Sequence, residues 1–161
     1  MKKFVFTLLL VFVCHLGYAQ GINGLFNEFG SEKNADCVKV SSFMMSLGKM
    51  FAGHDEDAKI IRKIKSIKVL DLESCTASVK ERFNKKVNKM NLKGYDELMR
   101  VNDEGEKVRV LMKTKKETIR ELLFVCTGKE DCTLVQINGK FTKDDIDKLV
   151  NQETGKKHGR R

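Results

Sequence analysis

The alternation of apolar and polar residues between positions 37 and 94 predicts two strands, each followed by helical sequence. Residues 37–41 alternate as a short strand, and residues 64–74 form a β-branched run with apolar residues on both faces, as expected of an interior strand. The helix after the first strand carries an apolar stripe that we expect to face the core, made of Phe43, Met44, Leu47, Met50 and Phe51. A second stripe, Val79, Phe83, Val87 and Met90, predicts the helix after residue 74.

From residue 95 onward the pattern changes to strands joined by short polar loops. Residues 95–101 and 106–114 flank Asn-Asp-Glu-Gly, a strong hairpin signal. Residues 117–127 and 132–138 form a second hairpin around Gly-Lys-Glu-Asp. Four consecutive antiparallel strands are therefore expected.

A last helix closes the predicted domain. Thr142, with Asp145 three residues later, resembles a capping box, and Ile146, Leu149 and Val150 are expected to face inward. Together with a short helix that starts near Glu56, the order is β-α-(α)-β-α-β-β-β-β-α. We predict an α+β fold, a mostly antiparallel sheet with helices packed on one face.

The first twenty residues, MKKFVFTLLLVFVCHLGYAQ, have the anatomy of a secretory signal peptide. Lys2 and Lys3 give a positive start, an apolar run follows that is too short to span a bilayer, and a small-x-small ending favours cleavage between Ala19 and Gln20. The alternatives are a buried N-terminal helix and lipidation at Cys14, where the bulky preceding residues do not suit a lipoprotein signal. We expect an exported protein of the periplasm or cell envelope.

The charge of the chain is concentrated at its ends. The 31 Lys and Arg residues exceed the 22 Asp and Glu residues by nine, but two of these cations lie in the signal and four in the last six residues. Residues 20–154 therefore carry only about +3. With no tryptophan and two tyrosines, the chain lacks the stacking aromatics of a nucleic-acid surface, and no nucleic-acid partner is expected.

These observations divide the chain into four parts. Residues 1–19 are the signal peptide, residues 20–36 a flexible, Gly- and Asn-punctuated segment anchored by Leu25 and Phe29, residues 37–151 a single α+β domain, and residues 152–161 a basic disordered tail. The tail is suited to weak contact with an anionic membrane surface.

Recognisable enzyme motifs are absent from the sequence. The histidines are His15, His54 and His158, and nothing places a nucleophile beside His54. The run His54-Asp55-Glu56-Asp57 offers mixed nitrogen and oxygen ligands for a cation, but acidic residues at a helix start are also explained by capping. No catalytic residue, metal ligand or cofactor is assigned, and a metal site or enzyme centred on this run is kept as an alternative.

Four cysteines follow the predicted cleavage site. Cys126 and Cys132 lack the spacing typical of zinc ligands or of a redox Cys-x-x-Cys motif. With the loop centred at Lys129, the two thiols lie opposite each other on adjacent strands, within reach of a disulfide in an oxidising compartment. We predict this bridge, and Cys37 with Cys75 is a possible second pair.

The layout resembles an exported family of Bacteroidetes, domain of unknown function 4252. The similarity lies in the ending YAQ of the signal, the helix SSFMMSLGKMF, the strand IKSIKVLDLES, the hairpin YDELMRVNDEGEKVRVLMK and the closing INGKFTKDDIDKL. The resemblance implies an exported single domain, often membrane-anchored in relatives, and supplies no catalytic residues.

The leading hypothesis from the sequence is a non-enzymatic binding or interaction module of the cell envelope, for a protein or a small ligand. A structural accessory that docks through a sheet edge is a further alternative. The oligomeric state is not predicted.

Overall fold

A computed structural model describes residues 21–51 and 56–148. The helices are α1 (Ile22–Phe29), α2 (Ser42–Phe51), α3 (Glu56–Lys63) and α4 (Ala77–Lys89), followed by α5, whose described part is 143–148. The strands are β1 (Asp36–Val40), β2 (Ile64–Asp71), β3 (Asp96–Asp103), β4 (Glu106–Lys115), β5 (Thr118–Thr127) and β6 (Thr133–Phe141). No helix in this described part is long and apolar enough to cross a bilayer.

The six strands form one sheet in the order β1-β2-β6-β5-β4-β3, and every neighbouring pair is antiparallel. The predicted α+β class, the antiparallel sheet and the order of elements are confirmed. The last strand inserts between β2 and β5, so the strands before and after α4 belong to one continuous sheet.

The main core lies between one face of the sheet and helices α1 and α4. Phe83 of α4 is fully buried and meets Phe29 of α1 edge to face, with ring centroids 5.4 Å apart. The predicted stripe on α4 is confirmed, since Val79 and Val87 are buried beside Phe83. The strands contribute buried residues to this cluster, among them Leu70, Leu111, Leu123, Val125 and Leu134.

Helix α1 differs from the flexible segment predicted for residues 20–36. Its apolar residues repeat at helical spacing and all four are buried: Ile22, Leu25, Phe26 and Phe29. Gly21 and Gly30 bound the helix, and a side chain on Gly30 would collide with the Phe26 carbonyl oxygen and press on Cys37. Gly21 and Gly30, which indicate a flexible segment in the sequence pattern, therefore mark the two ends of a helix that packs in the core.

A smaller core lies on the opposite face of the sheet. Leu122 belongs to it, whereas the adjacent Leu123 belongs to the main core, because successive side chains of a strand point to opposite faces. Ile60 of α3 and Ile146 of α5 pack against this second cluster. Helices therefore pack on both faces of the sheet, whereas the sequence pattern predicted helices on one face.

Helix α2 does not bury the first part of its apolar stripe. Phe43 is 71% exposed and Met44 is 57% exposed, contrary to the prediction that the stripe faces the core. The side chains of Leu47, Met50 and Phe51 lie outside what the structure describes.

The register of the second hairpin differs from the predicted one by one residue. Cys126 is paired with Thr133, so Cys126 and Cys132 do not lie opposite each other. Cys132 instead turns into the main core, where it is fully buried and its thiol donates to Asn84 Oδ1 at 3.2 Å. Burial of this apolar thiol beneath α4 accounts for the difference.

Candidate functional site

A polar cavity of about 940 Å³ opens beside the N-terminal half of α1. Its walls are α1 and the segment from Met90 to Tyr95, and its floor is the sheet, through Lys113, Glu121 and Gln136. Because α1 packs its apolar stripe on the core, its other side presents Asn23 and Asn27 to this cavity.

Three side chains form a hydrogen-bonded group on the floor. The Tyr95 hydroxyl and the Gln136 Nε2 amide both donate to Glu121 Oε1, each at 2.7 Å. A β-bulge in β5 between Ile119 and Glu121 shifts the strand register just before this carboxylate. The bulge helps to set Glu121 on the face of the sheet that carries Gln136.

The Tyr95 hydroxyl is held in its protonated, donating form. Burial raises the pKa of Tyr95 well above its usual range, and the hydrogen bond to Glu121 and the charge of that carboxylate raise it further. The Lys113 ammonium lies 5.4 Å from the centre of the Tyr95 ring. Glu121 is thus fixed as an acceptor between two donors, with a cation nearby.

Gln136 is the unusual member of this group. Its side chain is only 5% exposed, and its Oε1 atom has no hydrogen-bond partner among the described residues. A buried polar atom left unpaired costs about 1–3 kcal/mol. Gln136 lines the cavity, but its Oε1 atom is itself buried, so the side chain has to shift before a bound molecule can donate to this oxygen.

No motif in the sequence marks Tyr95, Glu121 or Gln136 as site residues. A signal exists in the strand pattern, because Glu121 and Gln136 occupy positions that share a face with the buried residues Leu123 and Leu134. Polar residues at such inward positions are uncommon without a partner or a function.

A second surface is the face of the sheet opposite the main core. Directly paired residues form one apolar row across all six strands, here called the apolar row: Val38, Val69, Val135, Phe124, Val110 and Met99. Val38 is 56% exposed, Met99 50% and Phe124 38%. Val110, between Phe124 and Met99, is buried. Exposed apolar side chains grouped on one face in this way are characteristic of an interaction site.

The cysteines predicted as disulfide partners are free thiols in the structure: Cys37, Cys75, Cys126 and Cys132. Cys126 lies on the same face as the apolar row, whereas Cys132 lies in the main core. Cys75 is buried and donates to the Lys33 carbonyl oxygen at 3.5 Å. The structure does not bring the predicted pairs together as bridges.

Other predicted site residues fall partly or wholly outside the described residues. His54 and Asp55 lie there, as do Ala19, Gln20 and the basic tail, and of Glu56 and Asp57 only the helical backbone is described. Within residues 21–51 and 56–148 there is no cluster of three His, Cys, Asp or Glu side chains that could hold a metal ion. A cation site at residues 54–57 therefore stays an untested alternative to helix capping.

The sheet has two outer strands, β1 and β3. Every residue of β3 is exposed, but this strand carries charged side chains along its length. Glu97 receives hydrogen bonds from Arg100 and Arg109, which lower its pKa to about 2 and keep it ionised. Charged edges oppose strand addition, so the geometry does not favour docking through β3.

The fold and cavity together define an α+β domain in which helix α1, the segment from Met90 to Tyr95 and one face of an antiparallel sheet line an open polar cavity. The family model of Domain of unknown function (DUF4252) matches residues 29–149, and the chain belongs to this family. Neither a curated protein nor a solved structure matches the chain.

Proposed function

We propose that this protein is an exported, non-enzymatic module that binds a neutral polyhydroxylated ligand, a mono- or disaccharide, in the cavity beside α1. The observation that carries this proposal is the buried Oε1 atom of Gln136, a residue that lines the cavity, which has no hydrogen-bond partner among the described residues. A hydroxyl group that donates to this oxygen removes the cost of leaving it unpaired.

The remaining groups suit hydroxyls, which both donate and accept hydrogen bonds. Glu121 supplies a second acceptor next to Gln136. The amides of Asn23 and Asn27 and the ammonium of Lys113 supply donors at the same cavity. A volume of about 940 Å³ is ample for one or two sugar rings.

The chemistry of the floor supports binding rather than catalysis. The raised pKa of Tyr95 makes its hydroxyl a poor general base or nucleophile at neutral pH. Glu121 Oε1 already accepts two hydrogen bonds, so this oxygen is engaged with Tyr95 and Gln136. The signal peptide predicted for residues 1–19 supports a location in the periplasm or envelope.

Saturation-transfer NMR with neutral hexoses, N-acetylhexosamines and their disaccharides tests the proposal. We expect a saccharide signal that Gln136→Met weakens by about tenfold in affinity or more, the effect of losing one good hydrogen bond. Asn138→Met is the matched control, because Asn138 is an amide on the same strand that bonds to Ser66 and does not line the cavity.

Two outcomes contradict the proposal: no neutral saccharide gives a signal, or Gln136→Met binds as well as the unmodified protein. Dicarboxylates and diamines of similar size serve as probes of other chemistry. A signal from these alone would show that the cavity recognises charge and not hydroxyls.

A further inference from the structure

We propose that the apolar row is covered by a second copy of this chain in a two-fold dimer, in which Phe124 packs on the partner's Val135. This interface lies on the face of the sheet opposite the cavity, so the inference does not depend on the proposed ligand.

The row and its neighbours form an apolar surface without a charged residue at its centre. Next to the row on one side are Cys126, Val108 and Val101, which Thr133, Asp71 and Asp36 continue toward the β1 edge of the sheet. On the other side are Val40, Ile67 and Ile137. Helices α3 and α5 cover only the end of this face near Leu122 and Ile137. Of the row itself, Val38, Phe124 and Met99 are exposed, whereas Val110 between Phe124 and Met99 is buried.

The area is sufficient for a specific interface. Six strands about 4.8 Å apart and two to three rows about 6.8 Å apart give roughly 500 Å² of uncovered sheet per copy. Two such faces bury roughly 1,000 Å² together, which is the lower bound for a biological contact with good complementarity.

The distribution of side-chain size along the row makes it self-complementary. The β1, β2 and β6 half carries three valines, whereas the β5, β4 and β3 half carries Phe124, Val110 and Met99. A two-fold axis parallel to the strands, between β6 and β5, lays the bulky half of each copy on the small half of the other. Val38 then meets the partner's Met99, and Phe124 meets the partner's Val135.

This arrangement has the geometry of known sheet sandwiches. Two face-to-face sheets pack about 10 Å apart with their strands within about 30° of each other. An isologous two-fold contact also closes on itself, so it forms a dimer and not a filament.

Size-exclusion chromatography with light scattering tests the oligomeric state. The sample is the purified protein as processed by the cell that expresses it. We expect a dimer that Phe124→Asp and Met99→Asp each convert to a folded monomer, because each puts a charge in the apolar contact. Ile61→Asp is the matched control: Ile61 is similarly exposed, on α3 outside the row, and the dimer should persist. Circular dichroism verifies folding of every variant.

Cross-linking tests the orientation. Val38→Cys and Met99→Cys are combined in a Cys126→Ser background and treated with a bifunctional thiol reagent slightly longer than the roughly 10 Å between packed sheets. Within one chain the two positions are five strand spacings apart, roughly 24 Å, so the reagent cannot join them there. We expect covalent dimers from the double variant and none from either single variant.

A monomer at every concentration, or a dimer unaffected by both aspartate substitutions, would overturn the proposal. A dimer that the single Val38→Cys variant cross-links as well as the double variant would overturn the orientation. If α2 of the same chain covers the row, the protein will be a monomer, and Phe124→Asp will lower its stability.

Discussion

Cys126 and Cys132 are six residues apart, yet their thiols have different surroundings. Cys126 is partly exposed, and burial followed by the nearby charges of Glu106 and Asp131 raises its pKa. Cys132 is fully buried, and burial is also the main reason that its pKa is raised. The alternation of side chains along the hairpin separates the two thiols onto opposite faces of the sheet.

We expect alkylation of the native, reduced protein to label Cys126 before Cys132. Cys75 and Cys132, both buried with raised pKa values, should react only when denaturant opens the core. Peptide mass spectrometry after timed labelling gives the order. Recovery of Cys126 and Cys132 from oxidised protein as one disulfide-linked peptide would contradict the described register and restore the bridge predicted from the sequence.

The contacts of individual side chains were harder to predict than the helices and strands. The cavity residues Tyr95, Glu121 and Gln136 come from separate elements, and no local spacing brings them together. The cysteine register depended on where a five-residue loop turns, which burial of Cys132 decides. Both cases require tertiary contacts that a sequence pattern does not contain.

Individual elements were easier to predict when apolar periodicity and turn residues agreed. The hairpin turn between β3 and β4 places Glu104 and Gly105 at positive φ, 42° and 92°, as a tight turn of this kind requires. Helix α1 has equally regular periodicity but is short and bounded by glycines. Its glycines suggested a loop, although the spacing of Leu25, Phe26 and Phe29 already indicated a buried helical face.

The start of α5 confirms the predicted capping box. Asp145 Oδ2 accepts from the Thr142 amide at 2.7 Å, and the Asp145 amide donates to Thr142 Oγ1 at 3.3 Å. Lys63 Nζ at the end of α3 donates to both Asp145 oxygens at 2.6 Å. The carboxylate thus caps one helix and joins it to another.

We expect Asp145→Ala to lower the free energy of unfolding by about 1–2 kcal/mol through loss of the cap and of the contact with Lys63. Asp144→Ala, at the exposed neighbouring position, should change it by less than about 0.5 kcal/mol. Urea titration of the three proteins measures both effects. Equal stability of the two variants would contradict the described cap.

The effect of Asp145 should depend on pH in a defined direction. Burial alone would raise its pKa, but hydrogen bonds from Lys63 and Thr142 lower it below the usual value of 3.8. A carboxylate with a lowered folded-state pKa stabilises the protein above its unfolded-state pKa and loses that contribution as the pH falls through the folded-state value. The difference between Asp145→Ala and the unmodified protein should therefore shrink below about pH 4.

At the scale of the whole molecule, the class and element order were predictable because strand alternation and helical stripes are local. The sheet order was not, since insertion of β6 between β2 and β5 depends on pairing between distant segments. This insertion assembles the cavity floor, where β6 supplies Gln136 beside Glu121 of β5 and beneath α1. The same sheet carries the apolar row on its other face.

The two faces therefore have separate proposed tasks, ligand binding on one and association on the other. A binding site that keeps a buried polar atom unpaired lowers the stability of the free protein, a trade-off common at functional sites. The cost at Gln136 can be measured without knowing the ligand.

Urea titration of Gln136→Met and of the unmodified protein tests whether Gln136 carries a buried, unpaired carbonyl. The quantity compared is the free energy of unfolding. Methionine fills the same space, loses the hydrogen bond to the Glu121 carboxylate at about 1.5–3 kcal/mol and removes an unpaired carbonyl that costs about 1–3 kcal/mol. Because these two contributions nearly cancel, we expect the variant to be within about 1 kcal/mol of the unmodified protein. A loss of more than about 1.5 kcal/mol would show that Gln136 is a satisfied structural residue and would contradict the account.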